Sequence, residues 1–290
     1  MRPPPILRRP EDGIGSGTVS DPLAQVAALP GVAESVDGAR SMVDRLLGHR
    51  ILRRRSAEVS AESALRGARA SAALEGVKVS LDELRALGAD LAAPGPTAAE
   101  DPVPQGALRI AAELGSLSET WRRAPRQVLA RLHVLGAAGF AEAGELGRPR
   151  LAGQPVRDAL ELGPPPGPDE VAVRLDQLSS LLTAPTKAPA LVVAAVAHGE
   201  LLVLRPFGQG DGMVARAAER LTLVQRGLDP KSLTAPEVGH AELAEEYAAA
   251  ARAYAAGGPE GVARWVRHCA DAVAAAARDS IAICEAFMRG

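Results

Sequence analysis

One stretch of this chain sets the terms for the rest. Residues 205–216 read Arg205-Pro206-Phe207-Gly208-Gln209-Gly210-Asp211-Gly212-Met213-Val214-Ala215-Arg216, with three glycines at alternate positions. An apolar run, Ala190 to Leu204, enters it, and an Ala/Leu-rich amphipathic run, Val214 to Arg226, leaves it. The pattern is a helix, a glycine-rich loop and a second helix. Such a loop has two readings. Bare glycine backbone lets successive N–H groups turn toward an anion at the positive end of the following helix. Glycine equally serves a tight helix–helix turn that binds nothing.

The rest of the composition favours helices. Aromatics make up only 2% of the 290 residues, so the core has to be built from Ala, Leu and Val. Small Ala side chains suit close-packed helices and have the highest helix propensity. The formal net charge of −2 gives no electrostatic case for nucleic acid, and few aromatics are available to stack on bases. Cys269 and Cys284 are the only cysteines, fifteen positions apart on one expected helix, which keeps them from bonding each other. No CxxC or Cys/His ligand spacing occurs and the five histidines are dispersed, so no metal is expected. The N-terminus lacks the apolar core of a signal peptide, and the most apolar run, Leu191 to Leu204, is too short to span a bilayer. The expectation is a cytoplasmic protein without membrane or nucleic-acid partners, and the Ala, Arg, Gly and Pro bias suits a bacterial source.

Along the chain, residues 1–20 show no periodicity and read as a disordered arm. From Asp21-Pro22, a cap followed by a proline at the first helical position, apolar residues recur at three- and four-residue intervals. A further helix spans His49 to Leu74 and ends at Glu75-Gly76; Ser80-Leu81-Asp82-Glu83 offers a capping box for a short one through Leu91. Residues 21–92 thus form an N-terminal helical region. Residues 93–105 are rich in Pro, Gly and Ala and read as a linker. The core and C-terminal helices occupy 106–290, with runs at Ala107 to Leu114, Pro125 to Ala138, Asp169 to Leu182, Ala241 to Ala255 and Pro259 to Met288. Ala141 to Pro168 is irregular, with little β-branched content to support a hairpin. The total is roughly ten helices and essentially no strand, an all-α fold.

The opening stretch resembles the signature of the Fic (Fido) family, HxFx(D/E)GNGRxxR. Pro206, Phe207, Gly210, Gly212 and Arg216 fall in register with it. The apolar run with His198 seven positions before the signature is similar to the helix that precedes it in Fic proteins. Pro164-Pro165-Pro166, Leu132-His133 and Trp265 to Ala277 resemble further family landmarks, so the likeness covers about Ser20 to Ala277. A second motif joins it. Fic proteins with an N-terminal inhibitory helix carry (S/T)xxxE(G/N), and here Ser71-Ala72-Ala73-Leu74-Glu75-Gly76 matches its three specified positions. The resemblance implies a Fic-like helical core with an N-terminal helical subdomain packed on it.

It also implies a chemistry, against which the departures stand out. Fic enzymes mostly transfer AMP from ATP to a hydroxyl side chain (AMPylation). The family histidine is the general base, the acidic residue holds Mg²⁺, the glycines, asparagine and first arginine cradle phosphates, and the second arginine grips the γ-phosphate. The inhibitory glutamate pairs with that second arginine. In this chain Arg205 stands at the base position, and a guanidinium stays protonated. Gln209 replaces the metal-holding acid, Asp211 the asparagine and Met213 the first arginine, while Arg216 is retained. Loss of the base alone costs roughly two to four orders of magnitude in rate. The expectation is therefore a pseudoenzyme acting as a binding or regulatory module, with no catalytic residue intact and no cofactor. Glu75 and Arg216 are expected to form a structural ion pair, and Arg205 with Asp211 a second. Two alternatives stay open. One is a metal-independent nucleotide binder using Arg205, Gly208, Gly210, Gly212 and Arg216 for ATP. The other is a Fic-type nucleotidyl or phosphoryl transferase with atypical residues. An unidentified protein partner and a homodimer, common among Fic proteins, also stay open.

Overall fold

The computed structural model describes residues 21–92 and 101–289. The arm 1–20 and residues 93–100 of the expected linker lie outside the described residues. Among the described residues there are twelve helices and no strand, only an isolated bridge between Ala138 and Ala141.

The N-terminal region comprises α1 (Pro22–Ala27), α2 (Val32–Leu47), α3 (Leu52–Leu74) and α4 (Leu81–Ala92). Its starts follow the local chemistry. The Asp21 carboxylate accepts from the Leu23 and Ala24 amides, and Ser80 and Glu83 bond each other's backbone N–H in a capping box. Asp21 also accepts from the Thr186 hydroxyl and the Lys187 amide, which ties this region to the segment before α8 (Ala190–Leu204).

The linker reading fails at its far end. Residues 102–105 form the first turn of α5 (Pro102–Arg123), because Asp101 caps the Val103 amide and Pro102 occupies the first helical position. The same helix runs well past Leu114. Next come α6 (Pro125–Ala137), α7 (Pro168–Thr183), then α8, α9 (Asp211–Gln225), α10 (Pro236–Glu242), α11 (Ala244–Ala256) and α12 (Gly258–Arg289).

Helix α8 is apolar on every side, and residues 191–204 are all buried. A helix with no polar face belongs at the centre of a bundle, and α9, α12, α7, α11 and α1 surround it. Its two polar residues are satisfied. Glu200 pairs with Arg174 at 2.8 Å and accepts from the Tyr254 hydroxyl at 2.8 Å; His198 bonds Glu219 and Tyr247. The N-terminal helices pack onto this core, α2 along α12 and α3 against α5, α10 and α9. None of the described helices is long and apolar enough to cross a membrane.

Candidate functional site

The loop between α8 and α9 is held from outside. Arg205 closes α8 in the left-handed conformation, at φ 44°. Its carbonyl accepts from Arg150 Nε, and the Pro206, Gly208 and Gln209 carbonyls accept from the Arg150 amide, the Arg157 amide and His133 Nε2. The irregular segment 138–167 therefore runs alongside the loop and pairs with its backbone, without forming a hairpin. His133 also stacks on Phe207 at 4.2 Å and accepts from the Gly147 amide through Nδ1. Burial pushes its pKa down to about 4, against the Gln209 carbonyl, so it is a neutral core histidine.

The second motif meets the loop from the opposite side. At the end of α3, Glu75 Oε1 accepts from Arg216 Nη2 at 2.8 Å. Arg216 Nε donates to the Ser71 hydroxyl at 3.1 Å, and Nη2 reaches the Ser71 carbonyl at 3.2 Å. All three side chains are buried. Gly76 ends the helix with φ 94°. The carboxylate lies so close over the start of α9 that a Cβ on Gly212 would stand 2.3 Å from Glu75 Oε1. Arg157, from the irregular segment, adds a bond to the Glu75 carbonyl at 2.7 Å.

The expected Arg205–Asp211 pair does not form. Arg205 instead faces Asp158 at 3.1 Å and donates to the Gly163 carbonyl at 2.6 Å. Asp211 turns back into its own loop, where Oδ1 accepts from the Phe207 amide at 2.9 Å. The reason is geometric. Asp211 begins α9, where free loop amides are its nearest donors, while the left-handed turn at Arg205 sends its guanidinium across to residues 158–163.

These residues converge on one cleft with about 40 Å³ of free space, room for a few waters. Arg205, Gly208, Gly210, Asp211, Gly212 and Arg216 line it with Glu75. Gln209 and Met213 do not. Gln209 is half-buried beside the loop, and Met213 is buried with its terminal methyl toward Gly136 of α6. Arg157 and Asp158, which also line the cleft, were missed because they lie in a stretch without period; their adjacent opposite charges are the only local signal.

Burial pushes the Asp211 carboxyl up to about 7; its bond to the Phe207 amide holds it down and the Glu75 charge raises it further. The raised value sets the sign of a pH effect. Between about pH 4 and 7 the folded state keeps a proton that the unfolded chain has lost, so stability falls as pH rises through that window. We expect a loss of roughly 4 kcal/mol from this group across the window. Asp211→Asn keeps the oxygen that accepts from Phe207 and cannot ionise. Its urea unfolding midpoint should exceed that of the native chain at about pH 8 and match it near pH 4. Parallel pH profiles for the two proteins would remove Asp211 as the cause.

No protein-family model matches the chain, and no curated protein matches it. Solved structures do. A Fic family protein from Desulfovibrio desulfuricans superposes with a TM-score of 0.69 at 19% identity, over 88% of this chain and 75% of that one. A segment of Fic-1 from C. elegans gives 0.65 at 20% identity, over 92% and 76%. A glutamate-to-glycine variant of that segment gives 0.62 at 23%, over 87% and 71%.

Proposed function

We propose that this chain, which has the Fic fold, is a catalytically silent binding or regulatory module in which the former nucleotide cleft serves as internal scaffolding. The observation that carries the reading is that every arginine lining the cleft already faces a carboxylate of the chain. Arg216 faces Glu75, Arg205 faces Asp158, and Arg157 sits 3.8 Å from the second Glu75 oxygen. Arg157 and Arg216 share Glu75, while Nε and Nη1 of Arg205 keep no hydrogen-bond partner. The loop amide of Phe207, which would face an anion, already bonds the chain's own carboxylate at Asp211. The space over Gly212 where a phosphate would lie is filled by Glu75.

The donor set does not fit Mg²⁺·ATP either. Magnesium is held by carboxylates together with phosphates; Gln209 offers only an amide, and the carboxylates that line the cleft, Glu75, Asp158 and Asp211, already serve Arg216, Arg205 and the Phe207 amide. A guanidinium at Arg205 cannot take a proton from a hydroxyl. No group-transfer step follows from these residues.

Calorimetry with ATP, with and without Mg²⁺, tests the proposal. We expect no heat of binding up to millimolar nucleotide. Saturable binding without Mg²⁺ at a Kd well under about a millimolar would establish the nucleotide binder instead. Incubation with labelled ATP and lysate protein covers the remaining alternative: label transfer that disappears in Arg205→Ala would overturn the module reading.

A further inference from the structure

Apart from the cleft, one buried cluster combines side chains that the helical packing alone does not call for. His198 of α8, Glu219 of α9, His240 of α10 and Cys269 of α12 bring one ligand atom each to within 4.8 Å of one another. All four side chains are shielded from solvent. His198 Nδ1 and His240 Nε2 both converge on the same oxygen, Glu219 Oε2, at 2.7 Å each. The other carboxylate oxygen, Oε1, is buried without a hydrogen-bond partner.

We propose that this cluster is a structural zinc site, with His198 Nδ1, Glu219, His240 Nε2 and Cys269 Sγ as the four ligands. Two imidazoles, a carboxylate and a thiolate form the borderline-soft tetrahedral set that zinc takes. Zinc–ligand bonds of about 2.0–2.3 Å put neighbouring ligand atoms about 3.3–3.7 Å apart in a tetrahedron. The cluster reaches that arrangement by small shifts: the two 2.7 Å contacts open and the wider pairs close. Charge balances as well, since a carboxylate and a thiolate together neutralise a divalent ion in an interior where an isolated charge is costly.

The ring nitrogens turned away from the cluster strengthen the assignment. His198 Nε2 is 3.0 Å from the Tyr247 hydroxyl, and His240 Nδ1 is 3.0 Å from His268 Nε2. Metal-bound histidines are typically held this way, with the outer nitrogen fixed by a second partner that orients the ring. Zinc binding places the His198 proton on Nε2 and the His240 proton on Nδ1, each facing that partner. The ligands come from four helices and no two are close in sequence, so no spacing motif announces the site. Its role is to fasten the seven-residue α10 to the three longer helices.

The test uses the full chain. After purification without added metal and exchange into buffer with micromolar zinc, metal analysis should find one zinc per chain. After replacement by Co²⁺, the visible spectrum should show tetrahedral d–d bands and a thiolate-to-cobalt band in the near ultraviolet. Cys269→Ser should abolish the thiolate band and Cys284→Ser should leave it in place. His268→Gln should weaken zinc binding about 10- to 100-fold while keeping one zinc at saturation. Substoichiometric zinc in the folded native chain, or a six-coordinate cobalt spectrum without a thiolate band, would overturn the site. Both readouts come from the native protein, so they stand even if a variant fails to fold. Neither depends on whether the cleft binds ATP.

Discussion

Replacing Arg216 with methionine lowers the unfolding free energy by about 3–5 kcal/mol, measured by urea denaturation at neutral pH. The size follows from what is left behind. Glu75 is 8% exposed, and without Arg216 its nearest cation is Arg157, at 3.8 Å from its other oxygen. The Ser71 hydroxyl loses its Arg216 donor at the same time, and the Ser71 carbonyl keeps only the Glu75 amide. A well-made buried ion pair adds little net stability, but removing one member strands the other. Glu75→Gln leaves an amide oxygen that still accepts from Arg216 but removes the anion that balances its buried guanidinium, so it should cost a similar amount, about 3–5 kcal/mol. If Arg216→Met unfolds within about 1 kcal/mol of the native chain, α3 is not clasped to the core through this residue.

Gly239→Ala is expected to lose about 3 kcal/mol or more. A Cβ at this position of α10 would stand 1.9 Å from the Ala272 carbonyl oxygen and 2.6 Å from its Cα. Both are backbone atoms of α12, so no side chain can swing aside, and the two helices have to separate. The same substitution at Gly115 should do the opposite. That glycine lies exposed within α5 with nothing within 4 Å of its added Cβ, so alanine should gain about 0.5–1 kcal/mol from better helix propensity. Thermal unfolding of both variants beside the native chain checks the pair. A stable Gly239→Ala would mean that α10 and α12 do not meet as closely as described.

What could be read from the sequence, and what could not, divides along a physical line. Ser71, Glu75 and Gly76 stand at fixed spacing on one helix end, and the glycines of 208–212 mark a loop by backbone chemistry alone, so both were visible locally. The Arg216–Glu75 contact, across 141 positions, came from the resemblance and is present in the structure. The partner of Arg205 is not legible in the sequence. Opposite charges six positions apart suggested Asp211, but the left-handed turn at Arg205 selects Asp158, and turn geometry is not written in charge order. Residues 102–105 read as linker in the sequence because proline marks both loops and helix starts, and only the Asp101 cap distinguishes them. The His198–Glu219–His240–Cys269 cluster was invisible for another reason. Its members are scattered over four helices, and packing alone brings them together.

The way the loop is held has a consequence for how such a protein changes over generations. The carbonyls of residues 205, 206, 208 and 209 are each gripped by a donor outside the loop. Those donors read main chain, not side chain. Within the loop, Asp211 alone bonds the loop's own backbone through a side chain. The course of the loop is therefore set by its main chain, while Arg205 and Met213 are held by their own buried contacts. Of Arg205, Gln209 and Met213, Gln209 alone is half-buried beside the loop, so a substitution there leaves the turn in place. A frame held through its main chain is rigid whatever the loop's exposed side chains do, so the turn and the chemistry of the cleft can be altered separately.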